Sequence, residues 1–82
     1  MSEETALSTN EIVLYIPLLN EGTDVLRPTT GIVLQPGVAR VVATCDYDPD
    51  SEEWEFPPGS TVRCVREARE GRQILVARQR IA

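Results

Sequence analysis

From Glu11 onward the apolar residues fall into short runs separated by breaks rich in glycine, proline and acidic residues, and the runs have the length and β-branched content of strands. The first, Glu11 to Leu19, places Ile12, Val13, Leu14, Tyr15 and Ile16 in succession, apolar on both faces, and predicts a strand covered on two sides. Pro17 has no N–H to give to a ladder, so it belongs at an edge or a bulge. Val25 to Leu34 predicts either two short strands or one bent strand, because Pro28 and Gly31 interrupt it. Val38 to Cys45 predicts a third. Thr61 to Ala68 and Gln73 to Arg80 flank Glu70-Gly71 and alternate apolar with charged positions, the pattern of a β-hairpin with one face in the core and the other carrying arginine. All five glycines read as turns, at Gly22, Gly31, Gly37, Gly59 and Gly71.

The stretch Asp46 to Gly59 breaks this rhythm. Asp48 or Asp50 is suited to cap a helix, Pro49 to open one, and the surrounding acids to the positive end of its dipole. A short helical turn that ends before Pro57 is therefore expected. Together these elements predict a mainly β chain: a small five-stranded, strongly bent sheet or SH3-like partly open barrel with one short helical turn. Residues 1–10 read as a disordered polar tail and 11–82 as a single small β domain.

The chain has 82 residues, enough for one domain that buries roughly 60–65% of the surface its unfolded chain exposes. Hydrophobic residues at 41% and charged residues at 26% are sufficient for folding. The polar, acidic start lacks the basic and apolar regions of a secretory signal, and no apolar run approaches the roughly 18 residues needed to cross a bilayer, so a cytoplasmic location is expected. Cys45 and Cys64 match neither a C-x-x-C pair nor a zinc-ligand spacing, and the expectation is two buried thiols acting as small hydrophobes. The net charge of -5 conceals a split: residues 1–59 hold eleven acids against two arginines, and residues 60–82 hold six arginines against two glutamates.

Charge and spacing narrow the chemistry. Asp46-Tyr47-Asp48-Pro49-Asp50 has the alternating carboxylates that open a calcium loop, but Ser51 and Pro57 occupy the positions where that loop needs glycine and a bidentate glutamate. The chain has no histidine, no nucleophile with a recognisable base and no glycine-rich phosphate loop, so a non-enzymatic role without cofactor or metal is expected. Glu52 and Glu53 would serve as an acid–base pair only if both lined a pocket. The arginines at 63, 66, 69, 72, 78 and 80 suit phosphates, yet their hairpin has no aromatic to stack bases, and pairing with the acidic 46–55 loop is the simpler use for them. Trp54, beside Phe56, Pro57 and Pro58, is either a buried plug at the open end of a small sheet or an exposed binding anchor. Glu21, Gly22, Thr23 and Asp24 form a turn, with Arg27 positioned to pair with Asp24 or Glu21 across it.

Two resemblances bear on these residues. A-T-C-D-Y-D-P-D-S-E-E-W-E-F-P-P-G-S-T-V, Ala43 to Val62, resembles the opening of a Src-homology-3 domain. That likeness implies a small barrel in which Tyr47 matches an aromatic of the proline-peptide groove and Glu52 and Glu53 its acidic loop. Cys45 stands where a second groove tyrosine is usual, and the tryptophan of that groove is missing around Gln73 and Ile74. L-L-N-E-G-T-D-V-L-R-P (Leu18 to Pro28) with W-E-F-P-P-G (Trp54 to Gly59) is similar to a group of small bacterial proteins of unassigned activity, in which an aromatic stands where this chain has Leu26. It implies a bacterial origin and no particular chemistry.

The combined expectation is a protein-interaction module whose binding residues are Trp54, Tyr47, Glu52, Glu53, Asp24 and Arg27, with another protein as partner and self-association possible through an exposed sheet edge. The alternative is a nucleic-acid-binding small barrel that uses the arginine hairpin.

Overall fold

The computed structural model describes residues 10–22 and 25–82. The expected disordered tail, residues 1–10, falls almost wholly outside them, as does Asp24. Strands form close to the predicted positions: β1 (Glu11–Pro17), β2 (Leu26–Gln35), β3 (Val38–Val42), β4 (Thr61–Arg69) and β5 (Arg72–Arg80). They pair in chain order and close into a barrel, the small five-stranded, mainly β architecture expected from the sequence. With an odd number of strands running up and down, the last must meet the first in parallel. That closing seam consists of Leu14↔Leu75 and Tyr15↔Val76 alone, whereas every other neighbour pair is antiparallel.

Strand alternation puts Ile12, Leu14 and Ile16 on the inner face of β1, and the core gathers Leu14 and Ile16 with Ala39, Val41, Val62 and Ala77. β2 contributes small residues to this face. Its Gly31 lies opposite Ile12, and a Cβ there would come within 3.0 Å of Leu14 Cδ2. Gly31 is thus not a turn, as its neighbours suggested, but the gap that lets β1 side chains cross over an unbroken bent strand. Thr29, next along the inner row, donates its hydroxyl to the Val42 carbonyl, which satisfies a buried polar group.

The connections follow their turn chemistry. Glu70 (φ 50°) and Gly71 (φ 81°) join the paired residues Arg69 and Arg72, and two consecutive positive φ angles define the type I′ turn that suits the twist of a two-residue hairpin. Between β2 and β3, Pro36-Gly37 makes the turn and the register shifts between Val33 and Gln35.

The expected helical turn shrinks to one cycle of bonds, in which Ser51 and Glu52 both donate their N–H to the Asp48 carbonyl at 3.0 Å. It cannot propagate because the chain is drawn straight at once: Leu19 N–H bonds the Glu53 carbonyl, Glu55 N–H bonds the Pro17 carbonyl, and Leu18 bridges Trp54. β3 likewise stops at Val42, short of Cys45, because Val41 exchanges bonds with the returning loop at Gly59 and Ser60. Cys45 is consequently exposed, against expectation, while Cys64 packs half-buried beside the core, where burial pushes its thiol pKa up; both are free. Among the described residues no helix is long and apolar enough to cross a membrane.

The two ends of the barrel differ. Trp54 and Phe56, both about 5% exposed or less, fill the end from which the 43–60 connection springs. At the other end Ile12, Val33, Val38, Cys64 and Leu75 surround a hollow of about 260 Å³ with Arg66 at its rim.

Candidate functional site at the acidic corner

Of the predicted binding residues, Arg27, Tyr47, Glu52, Glu53 and Trp54 converge on the plugged end, and Asp24 lies outside the described residues. Arg27 sits opposite Ile16 on the inner-facing row of β2, which carries its side chain out over the barrel mouth. There its Nη2 donates to both carboxylate oxygens of Asp46, at 3.0 and 2.9 Å, and its buried Nε, which makes no hydrogen bond, faces Glu52 Oε1 at 3.4 Å. Among the described residues Arg27 pairs with a loop nineteen and twenty-five positions away and not with Glu21 of its own turn, while Asp24, the other expected partner, lies outside them; the row Arg27 occupies points toward that loop. One guanidinium thereby ties both ends of the 46–52 segment to β2.

Trp54 is 4% exposed and is therefore the plug and not an exposed anchor. Its Nε1 donates to Glu52 Oε1 at 3.1 Å, so the indole is satisfied and the carboxylate it meets is the one facing Arg27. Tyr47 packs its ring edge-on against the indole, with centroids 4.7 Å apart and planes at 68°, and remains partly exposed. Edge-to-face aromatic pairs of this kind add about 0.5–1.5 kcal/mol beyond the area they bury. Glu53 accepts a hydrogen bond from Asn20 Nδ2, fastening the loop to the β1–β2 connection. Asp48 turns both carboxylate oxygens inward, to the Asp50 N–H at 3.0 Å and the Ser51 hydroxyl at 2.9 Å. The result is a loop held by its own side chains, with Asp50 and Glu55 directed outward and exposed.

Electrostatics follows the geometry. The Asp46 carboxyl is held below its ordinary value first by the Thr44 hydroxyl, which is buried beside it though not in hydrogen-bond geometry, and then by the Arg27 guanidinium. Glu52 and Glu53 border one hollow of about 220 Å³, as an acid–base pair would require, but each is engaged, Glu52 by Trp54 and Arg27 and Glu53 by Asn20.

The arginines of the hairpin were expected to neutralise this loop. Instead Arg78 and Arg69 pair with Glu67 of β4, Arg78 through two bonds of 2.6 and 2.8 Å and Arg69 at 3.0 Å, and they hold its carboxyl below the ordinary range, Arg78 more than Arg69. Arg69 is two positions from Glu67 on the same strand and Arg78 reaches it from β5, four positions along from Ile74, the residue paired with Glu67, so no loop has to reach them. Sequence reasoning missed Thr44, Asp46 and Asn20 as members of the corner. Only Asp46 carried a signal, its place in the acidic run. No protein family, curated protein or solved structure matches the chain.

Proposed function

We propose that this domain is a non-enzymatic protein-interaction module that presents its acidic corner to a cationic surface of a partner protein. One observation carries the reading: a carboxylate-rich loop is fastened in place by a buried Trp54 and by Arg27, with Tyr47 and the outward Asp50 and Glu55 beside it. A loop ordered before binding avoids the conformational cost of being ordered by it. An aromatic next to carboxylates offers cationic side chains both ion pairing and a ring face or edge. The resemblance of Ala43–Val62 to the start of a Src-homology-3 domain supports the same arrangement of an aromatic beside an acidic loop, and a cytoplasmic setting suits two free thiols. In this reading Trp54, Glu52, Glu53 and Arg27 hold the surface, and Tyr47, Asp50 and Glu55 touch the partner.

Binding of arginine- and lysine-rich peptides at low ionic strength tests it. The wild-type chain retains such peptides and releases them as salt rises. Tyr47→Ser with Asp50→Asn and Glu55→Gln weakens them about tenfold without loss of fold. Equal retention by the triple variant, or no retention of any cationic peptide, removes the corner as the binding surface. The nucleic-acid reading rests on the exposed Arg40, Arg63, Arg66 and Arg80 and is weakened by the Glu67 carboxylate between Arg69 and Arg78.

A further inference from the structure

The parallel seam that closes the barrel is short. β1 is paired with β2 along its whole length and β5 with β4 along almost all of its own, yet β1 and β5 pair with each other only at Leu14↔Leu75 and Tyr15↔Val76. Ahead of those pairs, Glu11–Val13 and Arg72–Ile74 run on without a ladder between them. The groove that separates these two strand edges has a volume of about 430 Å³ and is floored by Ile12, Val13, Tyr15, Ile74 and Leu75. Ile12 and Leu75 also line the hollow at the unplugged end of the barrel, so the two spaces adjoin.

Three features of this groove belong to a docking site. Its apolar floor is partly open to water: Val13 is 63% exposed and adjoins the half-buried Ile12, Tyr15, Ile74 and Leu75, a contiguous apolar patch of the kind that marks an interaction surface. Its two walls are strand edges that, among the described residues, have no strand laddered between them ahead of Leu14 and Leu75, the usual template for adding an extended chain. Its rim is cationic: Arg72 lies over it with Nη2 3.5 Å from the Tyr15 hydroxyl and Arg66 stands at the shared end, while Arg69, which lines the adjoining hollow beside Tyr15 and Ile74, is paired with Glu67. Glu70 is the one carboxylate among these lining residues.

We propose that this groove receives an extended segment of a partner protein in which apolar and acidic residues alternate, added as a strand between β1 and β5. Successive side chains of a strand point to opposite faces, so every second residue of the segment enters the apolar hollow while the residues between face Arg72 and its neighbours. The charge of the segment follows from the rim, and its extended form from the two strand edges. This surface lies apart from the acidic corner and has the opposite sign of charge. Its success or failure is therefore independent of the corner's role, although both readings place the domain among protein-binding modules.

The test uses the full chain with a pool of labelled peptides that alternate glutamate with valine, leucine, isoleucine or phenylalanine. Two control pools replace glutamate with arginine or carry N-methyl groups on alternate backbone nitrogens. The acidic pool binds saturably, and each control binds about tenfold or more weaker, since one reverses the charge and the other removes the ladder donors. Arg72→Glu and, separately, Val13→Asp, both exposed positions that leave the circular-dichroism spectrum unchanged, weaken binding by a similar factor. The amides of Glu11–Val13 and Arg72–Ile74 become slower to exchange on saturation. Equal binding of the N-methylated pool, indifference to Arg72→Glu, or no binding of the acidic pool overturns the proposal. Binding that emerges only after removal of residues 1–9 overturns it by assigning the groove to the chain's own first segment. Concentration-dependent self-association abolished by Arg72→Glu overturns it in favour of a second copy.

Discussion

The acidic corner and the arginine hairpin use the same kinds of residue, carboxylate and guanidinium, to opposite structural ends. In the hairpin, Glu67 meets Arg78 and Arg69 on one outer face of neighbouring strands, and the turn between them needs only Glu70 and Gly71. The pairs decorate a ladder that exists without them. At the corner, Arg27 meets Asp46 and Glu52 over a barrel mouth, and behind those charges stands Trp54, which belongs to the core. There the charges hold down the connection that carries the plug. Charge on a strand face is thus a surface property, whereas charge on this loop is coupled to the plug that fills the barrel end, and removing it has consequences beyond the surface.

The contrast is broken most severely by Trp54→Ala. Deleting a buried indole costs about 3–5 kcal/mol, comparable to the whole stability of a domain this small, so the variant is largely unfolded by circular dichroism and its denaturant midpoint moves toward zero. Trp54→Phe keeps the ring and gives up the bond to Glu52, and it falls between the two. Gly71→Val is the strongest change available to the hairpin. Forcing a β-branched residue to φ near 81° costs about 1–2 kcal/mol, seen as a lower thermal midpoint with native near-ultraviolet signal from the Trp54 end. Arg27→Met has a smaller effect, about 1 kcal/mol or less because the pairs are partly exposed, but it falls on the loop: proteolysis between Asp46 and Glu52 accelerates while the hairpin is untouched.

The smallest effects are those of pH, and their sign is set by depressed carboxyls. Glu67 titrates below its ordinary value of 4.5 and Asp46 below 3.8, so the stabilisation each provides is complete above those values and is lost as pH falls through the lowered ones. Carboxyl carbon shifts followed by NMR give both midpoints on the acid side of the ordinary values. Glu67→Gln removes the dependence reported by the hairpin and leaves that of the corner.

The same contrast explains how much could be read from the chain. β4, β5 and their turn were legible because alternation and Glu70-Gly71 are local signals, and β1 because an apolar run of its length has few other uses. Gly31 misled because a glycine beside Pro28 in a broken run looks like a turn; that Leu14 and Ile12 need its missing Cβ is a contact with another strand. Arg27 was singled out as a residue of its own turn, and its pairing with Asp46 and Glu52 was not legible, since nothing local points to either. The expected helical turn stopped at one cycle for a similar reason, since the turn begun at Asp48 was cut short by pairing of Glu53 and Glu55 with β1 and its extension. For Trp54 its neighbours in sequence favoured the plug over the anchor, and burial agrees with the plug.

Plugging of one barrel end by the Asp46–Gly59 connection is the central claim, and native-state amide hydrogen exchange addresses it most directly. The N–H groups of Leu19 and Glu55, which bond the Glu53 and Pro17 carbonyls, are predicted to exchange only through global unfolding, with the same free energy as the β1–β2 ladder. Exchange of these two amides at rates near those of an unstructured chain, while the ladder stays protected, would contradict it.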